Sequence, residues 1–112
     1  PLLLNAADCL LMTSDHEGSP MMVKEALACN LPVVSVDVGD VAERLAGVTL
    51  SRVVDRRECA ISQALVEVLG LGGRSNGAEA VRDLSEERIA QRIIDVYQEA
   101  IASRPLGSRS PP

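Results

Sequence analysis

The stretch "DCLLMTSDHEGSPMMVKEALACNLPVVSV", residues 8–36, decides the fold. Residues 8–13 form a short apolar run that is typical of a strand buried on both faces, and the β-branched residues 32–36 predict a second strand. Between them, apolar residues recur at helical spacing from Met22 to Leu27. A strand, a helix and a strand within about 30 residues predict a βαβ unit with parallel strands and a right-handed crossover.

The ends of the central helix carry recognisable signals. Ser19 is predicted to cap the helix, with Pro20 as its first residue, where the missing N–H costs nothing. Asn30 suits a left-handed C-terminal cap, and Pro32 shortly beyond it blocks continuation. We expect Met22 to join the core with its apolar neighbours and Met21 to offer only its amide.

The flanking sequence extends the same α/β pattern. It predicts a helical turn at residues 2–7, a short helix at 41–46, a third strand at 50–54, a loop at 70–77 and another short helix at 78–82. Asp55 with Glu58 reads as a capping box for a helix, whose apolar stripe is Ile61, Ala64, Leu65, Val68 and Leu69. Ser85 is predicted to cap the last helix, whose predicted buried face is Ile89, Ile93, Val96, Tyr97, Ala100 and Ile101. The predicted fold class is therefore α/β, part of a doubly wound parallel sheet with C-terminal helices, with residues 1–103 as the domain and 104–112 as a flexible tail.

Composition excludes several classes of function. The net charge of −5 argues against a nucleic-acid partner. Tyr97 is the only aromatic residue, so aromatic stacking platforms are excluded. The three cysteines lack the spacing of a zinc site or a disulfide framework, which favours small buried thiols in a reducing, cytosolic setting. No transmembrane segment or signal peptide is visible, and because Pro1 is not an initiator methionine we expect a piece of a longer protein.

Two carboxylates stand on either side of the predicted helix start. Glu17 precedes it, and Glu25 follows with seven residues between them. In doubly wound sheets, ligands bind beyond the carboxyl ends of the strands, and a helix N-terminus attracts anions. A diphosphate held by the amides of Ser19, Met21 and Met22, with a sugar at one end and a ribose at the other, matches this layout. No dinucleotide fingerprint, P-loop or nucleophile elbow is present.

The segment "HEGSPMMVKEALACNLPVVSVDVGDVAE", from His16 to Glu43, resembles the donor-binding segment of the retaining glycosyltransferases with the GT-B fold, the glycosyl transferases group 1 family. The resemblance rests on the Glu, seven residues, Glu pattern, on "ALACNLPVV" and on the Gly39 to Glu43 loop, and it extends loosely over residues 2–102. It implies the Rossmann-like C-terminal half of that fold and transfer of a sugar from a nucleotide-sugar donor with retention of configuration.

The resemblance also implies roles for individual residues. Glu17 would bind hydroxyls of the transferred sugar, Glu25 would bind the ribose, and the backbone of Gly18, Ser19, Met21 and Met22 would approach the donor. The family's catalytic histidine, its diphosphate-binding Arg and Lys and its acceptor-binding N-terminal domain lie upstream. No catalytic residue is therefore expected here, and the piece alone should not turn over.

The implied partner is a UDP- or GDP-linked sugar, which is a substrate rather than a cofactor, and no metal is expected. Among the other polar residues of this region, His16 is predicted to be a polar loop residue and Lys24 to face solvent. Asp37 and Asp40 are explained equally well by a ligand-facing role and by strand-end and turn roles, and Glu43 equally by a ligand-facing and a structural role. The expected location is the cytoplasm, with peripheral membrane attachment of the full-length protein left open. Two alternatives remain at this point, namely a nucleotide-sugar epimerase fragment and a non-catalytic nucleotide-binding or interaction fragment. The donor sugar, the base and the acceptor are not specified.

Overall fold

A three-stranded parallel sheet organises the first part of the chain in the computed structural model, which describes residues 1–103. The strands are β1 (Leu10–Met12), β2 (Val33–Val36) and β3 (Arg52–Val54), and their spatial order is β1-β2-β3. Leu10 pairs with Val33, and Val34 pairs with Arg52, both in parallel register. The predicted parallel βαβ unit is therefore confirmed.

Six helices accompany the three strands within residues 1–103. They are α1 (Leu2–Ala6), α2 (Met21–Ala28), α3 (Val41–Leu45), α4 (Glu58–Leu71), α5 (Gly77–Ala80) and α6 (Glu86–Ala102), with a 3-10 turn at Arg82–Leu84. Helix α2 contacts β1 and β2, whereas α4 contacts β2 and β3. The fold is thus the predicted doubly wound α/β arrangement, Rossmann-like and consistent with the C-terminal half of a GT-B fold.

The core divides between the two faces because side chains alternate along β2. Val33 is fully buried in a cluster with Val23 and Leu27 of α2, and Val34 packs against Ala64 and Val68 of α4. All four residues of β2 are buried. This central strand matches the continuous apolar pattern from which it was predicted.

Strand β1 is less buried than its sequence predicts. Leu11 is 44% exposed, and Leu10 and Met12 are half-buried, so the expectation of a strand buried on both faces was wrong. β1 is the outer strand of the three, and α4 lies over β2 and β3. An outer strand has a neighbour on only one side, which accounts for the lower burial.

The carboxyl end of α2 closes in a Schellman motif. Asn30 has a φ of 54°, as predicted, and the Leu31 amide donates to the Ala26 carbonyl at 2.9 Å. The Asn30 side chain then accepts from the Ala78 amide at 2.8 Å. Gly77 packs so closely on Leu27 that a Cβ on residue 77 would lie 2.8 Å from the Cα of Leu27. These contacts fix α2 and α5 to each other.

Several predicted details of α4 were wrong. The Asp55–Glu58 capping box is absent: Arg57 occupies the cap position, no side chain caps the helix, and the Asp55 carboxylate pairs with Arg57. The helix runs through Gly70 and ends at Leu71, with Gly72 as its cap residue at a φ of +64°, so the loop begins later than predicted. Leu69 is 53% exposed rather than part of the buried stripe.

The chain divides into two units, Pro1–Arg82 and a second unit that begins at Asp83. Ser85 caps α6 as predicted, since its hydroxyl accepts from the Arg88 amide at 3.4 Å. The predicted buried face of α6 was wrong: Ile89 is half-buried, and the other residues of that face are exposed. A single helix cannot cover its own apolar stripe. The predicted tail, residues 104–112, lies outside the described residues.

The cysteines are free, with Cys9 and Cys29 half-buried and Cys59 exposed, so the expectation of buried thiols was wrong for Cys59 and is met only in part for Cys9 and Cys29. Cys59 lies in the first turn of α4, away from the helix's buried residues Ala64 and Val68. Within residues 1–103, no helix combines the length and apolar character that crossing a bilayer requires.

Candidate functional site

The loops that follow the three strands meet at one edge of the sheet, because parallel strands all end on the same side. Residues 13–20 follow β1, residues 37–40 follow β2, and residues 55–57 follow β3. All of the residues predicted to bind donor lie in the first of these loops or on α2. The sheet topology thus brings them to the edge where ligands bind in doubly wound folds.

Helix α2 begins one residue later than predicted. Pro20 is the cap residue and Met21 is the first helical residue. The prediction that Ser19 caps the helix was wrong, because its hydroxyl instead donates to Oδ2 of Asp40 at 2.5 Å. The first helical hydrogen bond runs from the Lys24 amide to the Pro20 carbonyl at 3.4 Å. The amides from Met21 to Val23 precede that bond and are left for a ligand or for water.

The two faces of α2 differ sharply in burial. Its underside, Val23, Ala26 and Leu27, is buried in the core. The opposite face carries Met21, Met22 and Glu25, with the two methionines 65% and 47% exposed. The prediction that Met22 belongs to the core was wrong: Met22 lies at the margin of this face, three positions before the exposed Glu25 and four before the buried Ala26, and its side chain stays exposed. We call these three residues the exposed face of α2.

Two glycines set the shape of the loop before α2. A Cβ on Gly39, whose φ is +57°, would lie 2.3 Å from the carbonyl oxygen of Gly18, so the two backbones touch where only glycine fits. The Asp40 amide also donates to that carbonyl at 3.0 Å. A Cβ on Gly18, in contrast, would meet no atom of the described chain within 4 Å. The space in front of Gly18 is open toward the ligand edge.

Asp40 joins the loops after β1 and β2. Its Oδ2 accepts from the Ser19 hydroxyl and from Nε of Arg44 at 3.1 Å. The Ser19 hydrogen bond, followed by the Arg44 contact and charge and by the charge of Lys24, lowers the pKa of Asp40 against the opposing effect of burial. Its Oδ1 is buried without a partner among the described residues. Asp40 is thus a charged link between the two loops.

Arg56 joins the loops after β1 and β3. One terminal nitrogen donates to the Thr13 carbonyl at 2.8 Å, and the other donates to the Ser14 carbonyl at 2.5 Å. The first nitrogen also pairs with Asp15 at 3.0 Å. Sequence reasoning missed this contact, because 43 residues separate Arg56 from Thr13 and no local pattern announces it.

The sequence-predicted site residues are thus found together, although their side chains differ in setting. Glu17, Gly18 and Ser19 are exposed in the loop, whereas Met21, Met22 and Glu25 are exposed on the helix. Among the other polar candidates, His16, Asp37 and Glu43 are exposed and Lys24 is half-buried. In residues 1–103, no group of three or more His, Cys, Asp or Glu side chains is arranged to hold a metal ion.

Comparison with known proteins places this geometry in context. The chain is 32% identical over 108 residues to a D-inositol 3-phosphate glycosyltransferase of Salinispora tropica, with 91% of this chain and 22% of the relative covered. It is 29% identical over 109 residues to a protein of the same name from Salinispora arenicola, with 92% and 24% covered. The chain therefore spans less than a quarter of the length of these relatives. No solved structure matches it significantly.

The model of the family described as glycosyl transferases group 1 matches residues 1–70, which include the whole sheet and the candidate site. This is more than half of the chain, and the match contains both Glu17 and Glu25. The chain belongs to the glycosyl transferases group 1 family.

Proposed function

We propose that the protein containing this chain transfers a sugar from a nucleotide-sugar donor to an acceptor with retention of configuration, and that this chain forms the donor-binding part. The observation that carries the proposal is the exposed face of α2 beside the open space at Gly18. Two methionines and a glutamate left uncovered at the ligand edge suit a partner that is partly apolar and rich in hydroxyl groups. Membership of the family supports the same reaction class.

Glu25 is the proposed ribose ligand. It lies four residues after the first helical residue, about 6 Å along the helix axis at 1.5 Å per residue. An ionised carboxylate accepts hydrogen bonds from vicinal hydroxyls strongly. Because the underside of α2 is packed in the core, the backbone that carries Glu25 is held in a fixed position. Met21 and Met22, on the same face, supply an apolar surface for the rest of the nucleoside.

Glu17 is the proposed ligand of the transferred sugar. It precedes the helix start, on the other side of the free amides from Glu25. The diphosphate would then lie between the two carboxylates, against the backbone from Gly18 to Met22, where the amides and the helix dipole offset its charge. The open space at Gly18 gives the phosphates room to approach the backbone.

The same amides would act when the sugar leaves. Negative charge builds up on the diphosphate as its bond to the sugar breaks, and fixed donors aimed at that charge lower the barrier. The proposal assigns no step to a metal ion and no proton transfer to a side chain of this chain. Residues outside it would supply the remaining catalytic groups and most of the acceptor site.

The proposed donor is a UDP- or GDP-linked sugar, and the proposed location is the cytoplasm, which the three free thiols support. Peripheral contact of the intact protein with a membrane is compatible with this proposal. The epimerase and the non-catalytic interpretations are not favoured by any observation on this chain.

Titration calorimetry of the intact protein with UDP and with GDP tests the donor assignment. We expect one of them to bind and Glu25→Gln to weaken that binding, while Glu79→Gln, an exposed glutamate of α5, leaves it unchanged. The anomeric configuration of the product, read by NMR, tests retention. A protein that binds neither nucleotide, or a product of inverted configuration, would contradict the corresponding part of the proposal.

A further inference from the structure

The guanidinium of Arg56 fastens the beginning of the loop that carries Glu17. Its two terminal nitrogens donate to the consecutive carbonyls of Thr13 and Ser14, at 2.8 and 2.5 Å. A planar guanidinium presents its donors in a fixed fork, so two adjacent carbonyls define both its position and its plane. The contact links the end of β3 to the end of β1, across the full width of the sheet.

The contact with Asp15 does not explain this arrangement. That ion pair is exposed, with side-chain exposures of 45% for Arg56 and 80% for Asp15, and such pairs are weak. The carbonyl contacts fix the main chain itself. Arg56 therefore acts on the path of the loop rather than on one neighbouring charge.

The far end of the same loop is fastened separately. The Gly18 carbonyl accepts from the Asp40 amide, and the Ser19 hydroxyl donates to the Asp40 carboxylate. Glu17 lies between the two fastened ends, three residues after Ser14 and one before Gly18. Its backbone position therefore depends on both attachments.

We propose that Arg56 is a positioning residue for Glu17: by holding residues 13 and 14, it sets where the Glu17 carboxylate meets the sugar of the donor. This inference rests on the proposed function. Glu25 does not depend on Arg56, because the packed underside of α2 holds it. Loss of Arg56 should therefore impair sugar transfer and leave nucleotide binding intact.

The first test compares Arg56→Ala with Arg57→Ala in the intact protein. Arg57 is the adjacent arginine, makes one exposed contact with Asp55 and serves as a control for charge and location. We expect Arg56→Ala to lower kcat for sugar transfer at least about tenfold, since a displacement of about 1 Å can cost about a hundredfold. Nucleoside diphosphate affinity, measured by calorimetry, should stay within about twofold of wild type. Arg57→Ala should change neither quantity.

A double-mutant cycle with Glu17→Gln separates positioning from general loosening. If Arg56 acts through Glu17, then Arg56→Ala should cost much less in the Glu17→Gln background than in the wild type. Equal losses in both backgrounds would overturn the inference. Arg56→Lys keeps the charge but lacks the fork, so it should give an intermediate kcat with unchanged nucleotide affinity. If Arg56→Ala fails to fold, the lysine variant decides, and a wild-type kcat for it would overturn the inference.

The outcomes distinguish this inference from the proposed function. A wild-type protein that binds neither UDP nor GDP contradicts the proposed function, and the proposed role of Arg56 is then contradicted as well. A wild-type protein that binds nucleotide and transfers sugar, with Arg56→Ala equal to Arg57→Ala in kcat, contradicts the role of Arg56 alone. Parallel loss of kcat and nucleotide affinity in Arg56→Ala also contradicts it.

Discussion

Glu17 and Glu25 are held by different means, although they lie in one site. Glu25 stands on α2, whose Val23, Ala26 and Leu27 are at most 1% exposed. Glu17 stands on a loop attached through carbonyls, a hydroxyl and a glycine contact to the loops after β2 and β3. The first position is fixed by core packing, and the second is fixed by polar contacts at the surface.

This difference teaches where the site is robust and where it is delicate. Packed interiors resist small displacements, so substitutions at the sheet edge should leave Glu25 in place. Hydrogen bonds between loops can be removed one at a time without loss of the core. In the proposed function, nucleotide binding then depends on packing, whereas sugar placement depends on the loop attachments. Five substitutions, apart from their controls, test that division, and they are ordered by the size of their expected effect.

Gly39→Ala should have the largest effect, because it breaks the glycine contact that supports the Glu17 loop. The new Cβ would lie 2.3 Å from the Gly18 carbonyl oxygen, at a φ of +57°. Backbone strain and a main-chain clash together should lower the free energy of unfolding by about 3 kcal/mol or more. Chemical denaturation measures this loss.

Gly47→Ala is the matched control for that substitution. Gly47 has a φ of +77°, but a Cβ there would meet nothing within 4 Å. It should carry only the backbone strain, about 1–2 kcal/mol. Equal losses at the two positions would mean that the close approach of the loops contributes nothing.

The two glutamates themselves give the sharpest comparison. Glu25→Gln should weaken nucleotide-sugar and free nucleotide binding alike, because the ribose is common to both ligands. Glu17→Gln should spare free nucleotide and reduce transfer, because its partner is the sugar. Each effect should be about ten- to hundredfold, as expected for loss of a charge-assisted hydrogen bond. The reverse pattern in calorimetry would show that the assigned polarity of the site is wrong.

Gly18→Ala should separate ligand space from fold stability. No atom of the described chain lies within 4 Å of the new methyl group, so the free energy of unfolding should change by at most about 0.5 kcal/mol. Donor affinity should fall about tenfold, because the methyl group would occupy the space proposed for the diphosphate. Unchanged donor affinity would place the phosphates elsewhere.

Asp40→Asn should have the smallest effect and should depend on pH. The Ser19 hydrogen bond and the Arg44 contact lower the pKa of Asp40, so its charged form stabilises the fold. A depressed pKa gives stability that is present above about pH 4, where an unfolded aspartate ionises, and is lost as the pH falls through the lower folded pKa. At neutral pH, the free energy of unfolding of the wild type should be about 1 kcal/mol larger than that of Asp40→Asn.

Thermal or chemical unfolding between neutral pH and about pH 2 measures this dependence. The difference between wild type and Asp40→Asn should shrink as the solution becomes acidic. Asp37→Asn is the control, because it removes the same charge from an exposed residue directly after β2. A difference that stays constant with pH would mean that the charge of Asp40 does not stabilise the link.

The βαβ core was predictable because its signals are local. A continuous β-branched run marks a central strand, and helical spacing of Val23, Ala26 and Leu27 marks the face that packs on it. Asn30 and Pro32 fixed the end of α2 in the same way. The candidate glutamates were also visible in the sequence, since their location relative to a strand end and a helix start is itself local.

The errors arose where a tertiary partner decides the outcome. Ser19 was expected to cap its own helix, but its hydroxyl donates a hydrogen bond to Asp40, 21 residues away. Met22 fits the apolar spacing of the core residues, and only the orientation of α2 in the structure shows that its side chain is exposed. Apolar spacing in α6 indicates which side would be covered but says nothing of what covers it. Arg56 had no sequence signal, because contacts over 43 residues leave no local pattern.

The groups that accept hydrogen bonds from Arg56 differ in charge. The Asp15 carboxylate is charged and exposed, whereas the Thr13 and Ser14 carbonyls are neutral groups of the main chain. Dissolved ions screen exposed charges over about 10 Å at 0.1 M salt but act little on neutral hydrogen bonds. Buffer salt should therefore weaken the Arg56–Asp15 ion pair before it affects the two carbonyl contacts, and the path of the loop that carries Glu17 should depend little on ionic strength.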